Sequence, residues 1–198
     1  MSVGAVVLAA GHGRRFGGGK LGAALRGEPI LSHVCDAVAR ALQAGVVGWG
    51  WVVVAADAPA AAALAERAGL GPIANPTPEA GISRSIQLGL EAAEAPRLAA
   101  VLLLLGDQPL VQVETMRRLI QAWLEGAGPV IRPRYRDQPD IPGHPVLLDR
   151  LVWPLCRRAT GDRGLNGVFP AVIFIDVPGA NPDIDTPADL HLLEDRPR

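Results

Sequence analysis

LAAGHGRRFGGGK, Leu8–Lys20, follows directly on the apolar run Ala5–Leu8, and its reading decides how the rest of the chain is understood. Gly11, Gly13, Gly17, Gly18 and Gly19 lack side chains, so the backbone can turn tightly here and present N–H groups to an anion. Arg14, Arg15 and Lys20 bring positive charge to the same place. Glycines and cations at the end of a buried strand suit a nucleoside triphosphate. The plain alternative is a surface loop with solvated arginines, and the density of glycine and charge directly behind the first apolar run argues against it. Two better-known phosphate loops do not fit. Walker A requires a hydroxyl residue after its lysine, and Lys20 is followed by Leu21. The dinucleotide fingerprint requires a third glycine where Phe16 stands.

Outward from this loop, three short apolar runs stand out: Ala5–Leu8, Trp51–Val54 and Val101–Leu105. None alternates with polar residues, which fits strands buried on both faces of a parallel sheet. Helix-like stretches separate them, at Leu31–Leu42, Ala58–Ala68 and Ser83–Ala93, the last with Ser83 or Ser85 as N-cap. A further helix is expected over Val113–Leu124, a late strand over Val172–Ile175, and a closing helix from about Pro187 through Asp189–Glu194. The alternation predicts an α/β fold: one domain over residues 1–198, a doubly wound, mostly parallel, Rossmann-like sheet. From Gly126 to Pro145 the texture changes to prolines among polar residues, with only a short Val130-Ile131 strand, and reads as a small insertion at the sheet edge. A loose tail is expected only over the last few residues.

Composition sets the outer limits. Of 198 residues, 49% are hydrophobic and 20% charged, with a net charge of -1. That balance exerts no long-range pull toward nucleic acid or an anionic membrane, so any phosphate binding must be local. Two cysteines, Cys35 and Cys156, without a CxxC pair or a nearby histidine, argue against a disulfide scaffold or a zinc site. MSVGAVVLAAG has no basic n-region, and no apolar run approaches the roughly 18 residues of a membrane helix. A soluble, cytoplasmic protein is expected.

Two acidic positions complete the pattern. LLLLGDQP sets Asp107 just past the C-terminal end of a buried strand, the edge of an open α/β sheet where ligands bind. A carboxylate there can hold Mg²⁺, a hard cation that takes oxygen ligands; turn chemistry at Gly106-Asp107 before Pro109 is the alternative. In PDIDTPADL, Asp183 and Asp185 alternate around Ile184, so on an extended segment both face the same way. A capped helix start at Asp185-Thr186-Pro187 is the competing reading, with Asp189 capping or decorating the helix.

The glycine segment resembles the LAAGxSxRMGxxK signature of the nucleotidyltransferases that act on the molybdenum cofactor, matching at Leu8, Ala9, Ala10, Gly11, Arg15, Gly17 and Lys20. Gly13 stands where that family often has serine, and Phe16 where it often has methionine. GISRSIQLGL, GDQP, GHPV (Gly143–Val146), GDRG (Gly161–Gly164) and DIDTP resemble further stretches of the family, in the same order. The resemblance implies transfer of a nucleoside monophosphate from a nucleoside triphosphate to a phosphorylated acceptor, with Mg²⁺ as cofactor. It implies that Ala9, Ala10, Gly11, Gly13, Gly17, Gly81 and Ser85 surround the nucleotide, that Arg15 and Lys20 are catalytic, and that Asp107 and Asp185 hold the metal. GHPV and GDRG fall on the acceptor side, with His144 as an acceptor-binding candidate. Ala10 resembles the cytidylyltransferase branch, which implies CTP, molybdopterin as acceptor, and delivery to a xanthine dehydrogenase-type molybdoenzyme or its accessory protein. A guanylyltransferase, a sugar-1-phosphate nucleotidyltransferase and a non-catalytic nucleotide-binding maturation factor remain as alternatives.

Overall fold

The computed structural model of the chain describes residues 2–11 and 13–194. Its strands are β1 (Val3–Ala9), β2 (Ala24–Leu25), β3 (Glu28–Pro29), β4 (Trp49–Ala55), β5 (Gly71–Asn75), β6 (Ala100–Leu105), β7 (Val130–Tyr135), β8 (Val146–Asp149) and β9 (Ile173–Val177). Its helices are α1 (Ile30–Gln43), α2 (Pro59–Arg67), α3 (Ile82–Glu94), α4 (Val113–Leu124), α5 (Trp153–Cys156) and α6 (Pro187–Glu194). Seven strands form one sheet in the order β5-β4-β1-β6-β8-β7-β9. Only β8 runs against its neighbours; the other pairings are parallel.

Alternation along β1 feeds two cores, one on each face. Ala5, Val7 and Ala9 pack with Leu31, Val34 and Val38 of α1 and Met116 and Leu119 of α4. Val6 and Leu8 point the other way, into a cluster with Ile86 and Leu90 of α3 and Trp153 of α5. Every residue of β1 is buried, as a strand covered by helices on both sides must be. The doubly wound, mostly parallel α/β fold expected from the sequence is the fold observed.

The chain runs from β1 outward to β4 and β5, then returns to place β6 on the opposite side of β1. That reversal opens a crevice beyond the C-terminal ends of β1 and β6, where open α/β sheets bind ligands. The glycine loop leaves β1 there, and Asp107 leaves β6 there.

A third, smaller core sits over this crevice. Leu25, Ile30, Ile184, Leu190 and Leu193 pack together, with Phe16, Ala23 and Leu110 against them. It joins the end of the glycine loop and the β2–β3 hairpin to α6 and the segment before it. The hairpin turns at Arg26 and Gly27, with φ of 54° and 86°; two successive positive φ values give the tight turn that matches strand twist.

Several local expectations differ from the structure. The Val130-Ile131 strand continues to Tyr135 and pairs with β9 along its length, whereas β8 meets only Val130 and Ile131. Pro133 therefore lies where the strand has lost one neighbour, a position at which proline is tolerated. Neither Ser83 nor Ser85 caps α3: the helix starts at Ile82 behind Gly81, and both hydroxyls are used elsewhere. Strands β5, GPIAN, and β8, VLLD, carry too little periodicity to be read in advance, one being a Gly-Pro edge strand and the other four residues long. The closing helix begins at Pro187, as expected. The tail expectation concerns residues 195–198, outside the described residues. Among the described residues no helix is long and apolar enough to cross a membrane.

Candidate active site

The glycine loop is shaped by left-handed backbone. Gly13, Gly17, Gly18 and Gly19 have φ of 59°, 90°, 94° and 65°, a region that costs any residue with a Cβ. The N–H groups of Phe16 and Gly18 both donate to the Gly13 carbonyl, at 2.9 and 3.2 Å, closing the loop on itself. The short helical turn at Lys20–Gly22 then carries Lys20 back over the crevice.

There Lys20 Nζ donates to Asp107 Oδ2 at 2.5 Å and to Asp185 Oδ1 at 3.4 Å. Arg15 Nη1 reaches the other oxygen of Asp185 at 3.3 Å. The Lys20 side chain is only 11% exposed, against 82% for Arg15, so the two cations are not equivalent. Burial alone pulls the Lys20 pKa down, but the charges and hydrogen bonds of Asp107 and Asp185 outweigh it and raise it above the ordinary value. Lys20 is therefore a fixed positive charge at neutral pH.

Asp185 is free to do this because two other residues cap the helix. Asp189 Oδ2 accepts from the N–H of Thr186 at 2.7 Å and from that of Asp185 at 3.0 Å, while the Asp189 N–H donates to Thr186 Oγ1 at 3.3 Å. This reciprocal pair is a capping box. The helix-start reading of DIDTP thus applies to Thr186 and Asp189, and the Asp185 carboxylate faces Lys20. Ile184, fully buried, turns into the small third core and sends its two acidic neighbours the other way. Asp183 accepts from Gln108 Nε2 at 2.7 Å. Burial raises the Asp183 pKa, and the charge of Asp107 adds to the rise.

A cavity of about 350 Å³ extends from Lys20 and Asp107 across the crevice. Leu8, Ala9, Ala10, Gly11 and Gly13 form one wall; Pro78, Glu79, Gly81, Ile82 and Ser85 form the other. Ser85 Oγ accepts from Asn75 Nδ2 at 3.0 Å, which leaves the Ser85 proton free to donate into the cavity. Asn75 is fully buried, and its Oδ1 accepts from the Thr77 N–H at 3.0 Å. It holds the cavity-lining Ser85 in place, and sequence reading missed it, although the Asn75-Pro76 step after an apolar stretch is a turn signal.

Gly81 shows why a glycine must stand there. A Cβ at this position would lie 2.3 Å from the carbonyl carbon of Gly161, and its φ is 90°. The GDRG stretch docks against the start of α3 in that space, secured by Ser83 Oγ donating to the Gly161 carbonyl at 2.9 Å. Asp162 is thereby placed in the lining of the 350 Å³ cavity and also of a second pocket of about 140 Å³.

His144 lines that second pocket beside Arg132. Burial, with the nearby Arg132 charge, pushes the His144 pKa down to about 3, so its imidazole is neutral in the physiological range. Of the residues singled out in the sequence, Ala9, Ala10, Gly11, Gly13, Lys20, Gly81, Ser85 and Asp107 meet in the main cavity. Arg15 and Asp185 join them through the ion pairs with each other and with Lys20. Gly17 does not line the cavity and serves the loop's turn. The charge expected of the Arg14 side chain lies outside the described residues.

Asp107 and Asp185, whose carboxylates both accept from Lys20 Nζ, are the residues of this crevice that could hold a divalent cation. Among the described residues no group of three or more His, Cys, Asp or Glu is arranged to hold a metal ion. Two carboxylates converging on one ammonium suit a hard cation such as Mg²⁺, which is bound by one or two carboxylates and completes its shell with water and substrate phosphates.

A model of the MobA-like NTP transferase domain matches residues 5–173, most of the chain and all of the crevice except the DIDTP segment. The chain belongs to the MobA-like NTP transferase domain family. It is 36% identical over 126 residues to the bifunctional protein GlmU of Bordetella petrii, covering 62% of this chain and 26% of that protein. It is 34% identical over 122 residues to the 3-deoxy-manno-octulosonate cytidylyltransferase of Anaeromyxobacter sp., covering 62% of this chain and 47% of that one. The match thus spans less than half the length of either relative. Among solved structures, the manganese complex of Rv0371c from Mycobacterium tuberculosis H37Rv is 29% identical with a TM-score of 0.77, over 98% of both chains.

Proposed function

We propose that this protein transfers a nucleoside monophosphate from a nucleoside triphosphate to a phosphorylated acceptor and releases pyrophosphate. The observation that carries the reading is the buried Lys20 ammonium, held by Asp107 and Asp185 at the head of a cavity whose floor is the glycine loop. An acceptor phosphate oxygen attacks the α-phosphorus, and the bond from that phosphorus to the bridging oxygen breaks as pyrophosphate departs. The nucleophile is already an anion, so no Ser-His or Cys-His pair is required, and catalysis is positioning and charge neutralisation. Lys20 balances the charge that builds on the α- and bridging oxygens, Arg15 approaches from the solvent side, and Gly11 and Gly13 let the phosphates come close to the backbone. Asp107 and Asp185 would be the residues to hold Mg²⁺, which would supply further charge neutralisation.

CTP is the proposed donor. The Ser85 proton and the Glu79 carboxylate in the same wall offer one donor and one acceptor, which match the carbonyl and amino groups of cytosine. Ala10 lies in the opposite wall, where the methyl group takes space that a glycine would leave open to a larger base. The relative named as a cytidylyltransferase supports this choice, and the manganese complex of Rv0371c supports a divalent cation. The proposed acceptor is molybdopterin, and the proposed consumer of the product is a molybdoenzyme of the xanthine dehydrogenase type or its accessory protein. Pyrophosphate release, measured with each of the four nucleoside triphosphates against molybdopterin and against sugar phosphates, tests the assignment. Release with CTP and molybdopterin supports it; release only with GTP or only with a sugar phosphate replaces it by that alternative.

A further inference from the structure

The 140 Å³ pocket beyond Asp162 has mostly apolar walls, Leu8, Ile86, Val146, Leu165 and Phe169 among them, yet Arg132 stands in its lining. Arg132 Nε donates to the Gly143 carbonyl at 3.0 Å and Nη2 to the Pro142 carbonyl at 3.1 Å. These two carbonyls belong to the stretch before His144 and aim the guanidinium without neutralising it. Among the described residues Arg132 forms no ion pair, although Asp162 lines the same pocket. Burial correspondingly lowers its pKa. A half-buried cation without a counter-charge is costly, and an anionic ligand removes that cost. Two further groups fit such a ligand: the neutral His144 ring, with no protein partner for either nitrogen among the described residues, and Arg163 at the pocket's edge. The pocket shares Leu8, Ile82, Leu105 and Asp162 with the main cavity, so a molecule bound here adjoins a nucleotide bound there.

We propose that this pocket is the subsite for a phosphate ester whose organic part packs a ring against its apolar walls, and that Arg132 is the residue that anchors its phosphate. The proposal rests on the nucleotidyltransferase reading for its meaning, since it makes the pocket the acceptor's seat. The binding itself is measurable without that reaction. Arg132→Gln removes the charge and keeps a polar side chain of moderate length; Arg132→Lys keeps the charge and loses the planar fork that meets the two carbonyls.

The test is a calorimetric titration of the full chain with phenyl phosphate and with inorganic phosphate, after the main cavity has been filled with CTP and Mg²⁺. Wild-type protein should bind phenyl phosphate at least threefold more tightly than inorganic phosphate, because the walls are apolar. Arg132→Gln should weaken phenyl phosphate about tenfold or more, the usual scale for losing a charged hydrogen-bond partner. Arg132→Lys should recover part of that loss, and CTP should bind all three proteins within twofold of one another. Equal binding of phenyl phosphate to wild type and Arg132→Gln overturns the proposal, as does an equal loss in Arg132→Lys, which would mark a role in shaping the loop alone. Failure of wild type to bind CTP would instead remove the nucleotidyl-transfer reading, while the dependence of phenyl phosphate binding on Arg132 is still read from the same titrations.

Discussion

The backbone N–H of Ile184 donates to the carbonyl of Asp107 at 3.0 Å, and this bond ties the segment before the last helix to the end of the central strand β6. Asp107 and Asp185 are 78 positions apart in sequence and become neighbours through it. With Ile184 anchored in its small core, the Asp185 carboxylate points to Lys20. Asp107→Asn should therefore abolish metal-dependent activity while leaving the fold intact, and Asp185→Asn should reduce it less, because Asp185 is the more exposed of the two. Activity titrated against Mg²⁺ checks this: both variants should need more metal. A raised requirement in Asp107→Asn alone would remove Asp185 from the site.

Lys20→Ala should lower turnover by about 10²–10³-fold, the scale for losing one preorganised electrostatic contact in a transition state. Nucleotide affinity should fall much less, since the charge Lys20 meets is greatest as pyrophosphate leaves. Steady-state kinetics beside equilibrium CTP binding separate the two effects. A near-normal turnover number would deny Lys20 a catalytic role.

Gly81 and Gly17 both have φ of 90°, but only Gly81 has a neighbouring backbone in the way. Gly17→Ala should cost about 1 kcal/mol for the left-handed backbone alone. Gly81→Ala must also push back the 161–163 turn, so it should cost about 2 kcal/mol or more and weaken nucleotide binding as well. Thermal melts and CTP titrations of the two variants make the comparison, and equal effects would contradict the close packing of GDRG on α3.

His144 gives a pH signature. Its folded pKa is held near 3, against an ordinary value of 6.5, so the unfolded chain takes up a proton first as the solution is acidified. Its contribution to stability is complete above about pH 6.5 and is lost as pH falls toward 3, at a slope of at most about 1.4 kcal/mol per pH unit. The stability difference between wild type and His144→Gln should therefore move in the variant's favour between pH 7 and pH 4.5. A difference independent of pH would mean that His144 titrates normally in the folded protein.

Much of this architecture is legible in the sequence because the decisive segments are local. The runs that became β1, β4 and β6 are apolar throughout, and the glycine loop concentrates its chemistry in 13 residues. Asp107 is legible because Gly106-Asp107 punctuates an almost pure Leu run. What escaped depends on long-range contact. Nothing near Asn75 in the sequence announces that its amide will hold Ser85, and nothing near Arg132 announces that Pro142 and Gly143 will fold back onto it. Ser83 and Ser85 have the residue type of helix caps, yet Gly161 and Asn75 claim their hydroxyls. Tertiary partners there override a local preference.

Under the proposed function the crevice transfers a nucleotide and does not merely bind one. Mass spectrometry of molybdopterin after incubation with this protein, Mg²⁺ and an equimolar mixture of CTP and GTP measures that directly. The expected result is an acceptor heavier by one cytidylyl group, one pyrophosphate released per product, and both formed about 10²–10³-fold more slowly with Lys20→Ala. A guanosine adduct would contradict the choice of base; tight CTP binding with neither an adduct nor pyrophosphate would contradict transfer itself and leave a nucleotide-binding protein.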